Sequence, residues 1–185
     1  EARRYFAGRC DRVDEVEESE GMLITREPAG VSALINPWNY PLLQMIGKVG
    51  PALAAGCTMV EKPSEETPTV DFIMAEIFDE IGLPGGVFNL ISGIGSEIGP
   101  LMSAHPLADM VSFTGSTRSG ISVAEQAAPS VKRVCQELGG KSAFIIAEGA
   151  NLEEAVEYGV NNVFLNAGQT CDALTRMLIP DSCYT

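Results

Sequence analysis

From Val31 onward, short apolar runs of strand length alternate with segments of helical period, and no other feature restricts the fold as much. Residues 31–35, 57–60, 87–91, 110–113, 131–135 and 143–146 are the strand-like runs. Strands alternating with helices at this spacing predict βαβ units, and therefore a parallel sheet with helices on its faces. In such sheets ligands lie beyond the carboxyl ends of the strands, so chemistry is expected in the loops that follow them.

The spacing predicts a helix over 68–81. Val70, Ile73, Met74, Ile77, Phe78 and Ile81 recur at i, i+3, i+4, i+7, i+8 and i+11, which forms one apolar stripe. Thr67 is placed to cap it, Pro68 suits its first position, and Gly82 and Pro84 end it. Asn151 is predicted to open a second helix, with Glu154 three residues on as in a capping box. A third helical stretch over 41–55 carries Gly50-Pro51 and is expected to kink or split there. Residues 1–30 stand apart. Asp14, Glu15, Glu17, Glu18 and Glu20 crowd five acids into seven positions, which reads as a solvated face.

Charge and cysteine usage remove whole classes of function. The 185 residues hold 12 Lys and Arg against 25 Asp and Glu, a net charge of −13. That balance argues against binding a nucleic-acid backbone or an anionic membrane. The five cysteines include no CxxC pair, and His105 is the single histidine, so a disulfide framework, a Cys-His relay and a multi-histidine metal site are not expected. No apolar run reaches about 18 residues, and the chain reads as cytoplasmic.

Six loops hold candidate chemistry. Asn39, in Pro37-Trp38-Asn39-Tyr40-Pro41, either caps the following helix or aims its amide at a developing oxyanion. In Lys62-Pro63-Ser64-Glu65, the Lys62–Glu65 pair is either a solvated ion pair or, through Glu65, an acceptor for ribose hydroxyls. A carboxylate at that place repels a 2′-phosphate and so favours NAD over NADP. The turns at Gly93-Ile94-Gly95 and Gly115-Ser116-Thr117-Arg118-Ser119-Gly120 lack the GxGxxG fingerprint, yet both occupy strand-to-helix junctions, where free amides and the helix dipole attract pyrophosphate. Glu137, read as lying just after a strand and beside Gly139-Gly140, is either an ordinary exposed acid or, if partly desolvated, a general base. Cys171 sits among Gly, Gln, Thr and Asp, a loop-like setting that suits a nucleophile better than a core filler. The other four cysteines read as packing or surface residues.

Taken together, PWNYP (37–41), GKVGPALAAG (47–56), KPSEETP (62–68), GLPGGVFNLISG (82–93), FTGSTRSG (113–120), ELGGKS (137–142) and GQTCDALTR (168–176) resemble the aldehyde dehydrogenase superfamily, in the family's order. The resemblance implies a Rossmann-like parallel sheet with flanking helices and the start of a second α/β catalytic domain. It divides the chain into a cofactor-binding domain over 1–140, with 11–27 part of an oligomerisation hairpin, and an incomplete catalytic domain over 141–185. It implies NAD-dependent oxidation of an aldehyde to a carboxylic acid through a cysteine thiohemiacetal and thioester. Cys171 is then the nucleophile, Asn39 and the Cys171 amide the oxyanion donors, Glu137 the base for water, and Lys48 a proton-relay lysine. Cofactor contacts are implied at Ile35, Pro37, Trp38, Lys62, Ser64, Glu65, Gly93, Phe113, Gly115, Ser116, Gly120 and Leu138, with no metal.

Arg118 departs from the family, where many members carry Glu. Family chains are also far longer, so the sequence reads as an internal fragment. It is expected to fold poorly and to show little turnover alone, with the full-length form a homo-oligomer. Two alternatives remain at this point, a relative that passes the acyl group to coenzyme A and a nucleotide-binding module without catalysis. Glu137 disfavours the first, because a thiol acceptor needs no water-activating base. Tyr40 and Phe164 serve either an aldehyde tunnel or core packing.

Overall fold

A computed structural model describes residues 2–13 and 15–183. Asp14, in the acidic run, lies outside the described residues, while Glu15, Glu17, Glu18 and Glu20 are exposed as expected. The chain forms two compact units, Glu1–Glu137 and Leu138–Thr185.

In the first unit, helix α1 (Ala2–Ala7) is followed by a hairpin of β1 (Glu17–Ser19) and β2 (Met22–Ile24). Its two-residue turn, Glu20-Gly21, has φ of 51° and 80°, the left-handed pair that lets a tight hairpin follow the natural strand twist. Next come β3 (Val31–Ile35), α2 (Pro41–Ala54), β4 (Thr58–Lys62), α3 (Thr69–Glu80), β5 (Phe88–Leu90), α4 (Gly95–Ala104), β6 (Met110–Gly115), α5 (Thr117–Ala127) and β7 (Arg133–Leu138).

The strands form one five-stranded sheet in the order β5-β4-β3-β6-β7. Strand β3 runs parallel to both β4 and β6, and β4 parallel to β5. This is the parallel α/β sheet the alternation predicts and the Rossmann-like arrangement the resemblance implies. The order reverses between β3 and β6, which opens a crevice at their carboxyl ends, where such sheets bind ligands.

Central strand β3 is buried along almost its whole length, as a parallel strand covered on both faces must be. On one face Leu34 and Met59 meet Met45, Ile46 and Val49 of α2 and Met74 of α3. Phe78 and Phe88 close that layer edge to face at 5.0 Å. On the other face Ala33, Ile35, Val111 and Phe113 are buried, as are Met102 of α4 and Val123 and Ala127 of α5.

Four local expectations change. Helix α2 runs unbroken through Pro51. Thr67 does not cap α3, because its hydroxyl donates to the Trp38 carbonyl at 3.1 Å and Pro68 holds the cap position. Within α3 the buried face is Asp71 and Met74, whereas Ile73, Ile77 and Ile81 of the apolar stripe are exposed. Strand β7 also starts later than the apolar run, because Val131 is left-handed at φ 53° and ends the preceding turn. Glu137 therefore lies inside a strand.

The second unit pairs β8 (Ala143–Ile145) in parallel with β9 (Arg176–Leu178), separated by α6 (Leu152–Val163). Asn151 caps α6 as expected, accepting from the amides of Glu153 and Glu154 at 3.1 and 3.4 Å. Among the described residues no helix is long and apolar enough to cross a membrane.

The two faces of α3 should respond differently to truncation. Met74→Ala is expected to cost about 2–5 kcal/mol in urea unfolding, and Ile73→Ala less than about 0.5 kcal/mol. Equal losses would contradict the buried face described above.

Candidate active site

The strand-end crevice collects most of the residues singled out in the sequence. At the end of β4, Lys62 is 1% exposed whereas Glu65 is exposed, so the pair is solvated at its carboxylate end alone. Its Nζ donates to the Pro63 carbonyl at 2.7 Å and to Glu65 Oε2 at 2.9 Å. Glu65 Oε1 accepts the Gly95 amide at 2.9 Å, which ties this loop to the first turn of α4. The Gly95 amide, with help from Lys62, holds the Glu65 carboxyl down to about 2, so it stays ionised at neutral pH. Ser64, nearly buried, uses its hydroxyl to accept the Glu66 amide.

After β6, Ser116 caps α5, accepting the Ser119 amide at 3.2 Å and donating to the Ser119 hydroxyl at 2.9 Å. The preceding Gly115 has no room for a side chain, because a Cβ there would lie 2.6 Å from the Phe113 ring. Gly93, at φ 150°, is equally constrained, since a Cβ would meet Ile98 at 2.8 Å. Gly120 is buried, and its carbonyl accepts the Gln136 amide at 2.6 Å, which fastens α5 to β7.

After β3, Pro37-Trp38-Asn39-Tyr40 leads into α2, whose cap position is Tyr40 with no side-chain capping bond. Ile35 is buried and Trp38 is exposed. From α2, Lys48 reaches across to β6 and donates to Thr114 Oγ1 at 2.8 Å. Burial pulls Lys48 from 10.5 down to about 8, against the opposing charges of Glu61, Glu137 and Asp71. Glu137 itself is exposed, so the partial desolvation considered for it is absent from the described residues.

In the second unit Cys171 is a free, exposed thiol. It follows three consecutive left-handed residues, Asn166, Ala167 and Gly168, at φ 51°, 57° and 79°. Asn and Gly accept that conformation readily, whereas Ala does so only under constraint. The constraint comes from α6 and the turn after it. Thr170 Oγ1 donates to the Leu165 carbonyl at 3.2 Å, and the Leu174 amide donates to Asn162 Oδ1 at 3.1 Å. The Gly140 end of the Gly-Gly pair approaches the Cys171 carbonyl, 4.0 Å from where a Cβ would stand.

Sequence reading missed Thr114, Asn36, Glu61 and Asp71. Glu61 carried a signal, a charge inside an otherwise apolar strand. Thr114 and Asn36 carried none, since polar residues at strand ends are commonplace. No cluster of three or more His, Cys, Asp or Glu suited to a metal occurs among the described residues.

The family model that matches this chain is the aldehyde dehydrogenase family, over residues 1–185. A 3-succinoylsemialdehyde-pyridine dehydrogenase from a Pseudomonas species is 58% identical over 167 residues, which cover 90% of this chain and 35% of that protein. A crystal structure of an aldehyde dehydrogenase C mutant from Pseudomonas syringae, complexed with NAD+ and octanal, superposes with a TM-score of 0.88 at 48% identity, covering 97% of this chain and 39% of that one. An E. coli NADP-dependent enzyme superposes at 0.90 with 39% identity, over 97% of this chain and 38% of its own. The chain thus spans little more than a third of the length of such relatives.

The Glu65 bonds predict a pH signature. A carboxyl held below its ordinary 4.5 stabilises the fold above that value and ceases to do so as pH falls toward about 2. Glu65→Gln should flatten the loss of urea stability across that window, by an amount reduced through the exposure of the carboxylate. An unchanged slope would remove the tie to α4.

Proposed function

The chain belongs to the aldehyde dehydrogenase family, and from that premise we propose that the complete protein oxidises an aldehyde to its carboxylic acid with NAD. The observation that carries the reading is the exposed Cys171 thiol on a constrained loop, in a chain the family model matches throughout.

The strand-end residues fit a dinucleotide. Ser116 and the first amides of α5 suit the pyrophosphate, with the helix dipole favouring its charge. The glycines at 93 and 115 leave the turns without side chains that would obstruct it. Lys62 and Glu65 would hold the adenosine ribose, and the ionised Glu65 would oppose a 2′-phosphate, which supports NAD over NADP. The chemistry NAD supplies when bound is hydride acceptance.

The chain's own residues do the rest. Cys171 Sγ, as a thiolate, forms a bond to the aldehyde carbon and gives a thiohemiacetal, whose oxyanion Asn39 and the Cys171 amide stabilise. After oxidation the adduct is a thioester. Glu137 takes a proton from water as the hydroxyl attacks that thioester, and the carboxylic acid leaves as the thiolate is restored. Lys48, buried in the first unit, would serve as a proton-carrying group. The hairpin, with exposed Met22, Leu23 and Ile24, is the surface through which the complete protein would pair with a second copy.

In the complete protein Cys171→Ala should abolish NADH formation. Asn39→Ala should lower kcat by about 10²–10³-fold, the usual effect of losing one oxyanion donor. Glu137→Gln should keep a burst of one NADH per site and slow the steady state by about 10²–10⁴-fold. Full activity without Cys171 would refute the mechanism.

A further inference from the structure

Among the described residues, the least expected group is a pair of acids under the β3 and β4 strand ends. Glu61 and Asp71 are 0% and 1% exposed. The register Leu34↔Glu61 places Glu61 on the same sheet face as Leu34 and Met59, in the layer that α2 and α3 cover. Asp71 enters that layer from α3 beside Met74.

The hydrogen bonds around them do not close for two carboxylates. Asn36 donates its amide to Glu61 Oε1. Glu61 Oε2, both Asp71 oxygens and Asn36 Oδ1 meet no donor among the described residues. Two bare carboxylates held together out of water repel each other and forfeit solvation, so one of them keeps a proton. A single O–H between the two acids also supplies a missing bond. Burial is the largest influence on each acid and pushes both upward; Asp71 pushes Glu61 further, Glu61 as a hydrogen-bond partner draws Asp71 down, and the Lys48 charge opposes the rise of both.

We propose that Glu61 and Asp71 share one proton and act as a single negative charge that keeps Lys48 an ammonium beneath the strand-end site. Lys48 faces Glu61 from β4, Asp71 from α3 and Glu137 from β7, and the hydroxyl it donates to, Thr114 Oγ1, is neutral. Burial alone would drive the lysine to its neutral amine, and the acid pair supplies the charge that resists this. Glu61 and Asp71 are positioning residues, acting on any substrate only through Lys48. The part of Lys48 in the reaction rests on the function proposed above; the charge pair itself does not.

A shared proton makes an unusual prediction about variants. In Glu61→Gln the remaining Asp71 ionises, and in Asp71→Asn the remaining Glu61 does, so each single variant preserves one negative charge. Only the double variant removes it. In the complete protein labelled with 13Cε-lysine, with the Lys48 signal assigned through Lys48→Arg, both single variants should titrate at Lys48 as the parent does. The double variant should shift the ammonium-to-amine ratio at pH 8 by about tenfold or more toward the amine. A shift in either single variant, or none in the double, overturns the proposal. Should the double variant fail to fold, carboxyl 13C titration of the parent decides the matter, because two ionised carboxylates at pH 7 would overturn it. Stability gives a third reading. The folded pair keeps a proton that the unfolded chain releases, so urea stability should fall as pH rises above the ordinary carboxylate range, and each single variant should lose that slope. Finally, a double variant in which Lys48 shifts while the pH profile of kcat stays put would leave the pair standing and remove Lys48 from the proposed reaction.

Discussion

Parallel pairing of β3 with both β4 and β6 is the constraint on which the first unit depends. A strand paired on both edges and covered on both faces has no direction left in which to expose a side chain, and β3 is accordingly buried and, Ser32 aside, apolar until Asn36. The same pairing aligns the carboxyl ends of three strands. Loops leaving those ends, from Asn36, Pro63 and Ser116, therefore start from one end of the sheet, and the Thr67–Trp38 bond ties the first two together. A slip of one residue in β3 would turn Leu34 to the opposite face of the sheet and reverse the side chain that opens the loop after it.

Above that apolar layer lies a polar one, and the two are separated by a step of two residues along β3 and β4. Leu34 gives way to Asn36 and Met59 to Glu61, with Thr114 added from β6 and Lys48 and Asp71 from the helices. Polar groups at this depth are expensive unless they satisfy one another. Here they do so in part through long reach, as in the Lys48–Thr114 bond between α2 and β6. The sheet thus ends in a layer whose charge state is set internally, shielded from bulk ions, while Ser116 and Glu65 at the rim remain open to solvent.

Much of this was legible from sequence, for identifiable reasons. Strand 31–35 was recovered to the residue because Val-Ser-Ala-Leu-Ile is short, apolar and bounded by Gly30 and Asn36. Asn151 was legible as a cap because capping is a local act of one side chain on amides two and three residues away. The buried face of α3 was not, since a period of hydrophobicity says that a stripe exists and nothing about which neighbour claims it. Here Asp71 enters the core and isoleucines stay outside. Thr67 was misread because the local cap competed with a tertiary acceptor, the Trp38 carbonyl, 29 positions away in sequence. Candidate site residues were legible by type and loop position, whereas the Glu61–Asp71 pair required knowing that two elements meet.

The three left-handed residues ahead of Cys171 carry a consequence for how that thiol is aimed. Ala167 has no intrinsic preference for its backbone angles, so the bend persists only while Leu165, Asn162 and Thr170 hold it. The sulfur's bearing is thus on loan from the last turn of α6. Fraying of that turn, by heat or by a change far from any reactant, would swing the thiol like a weathervane whose post has worked loose.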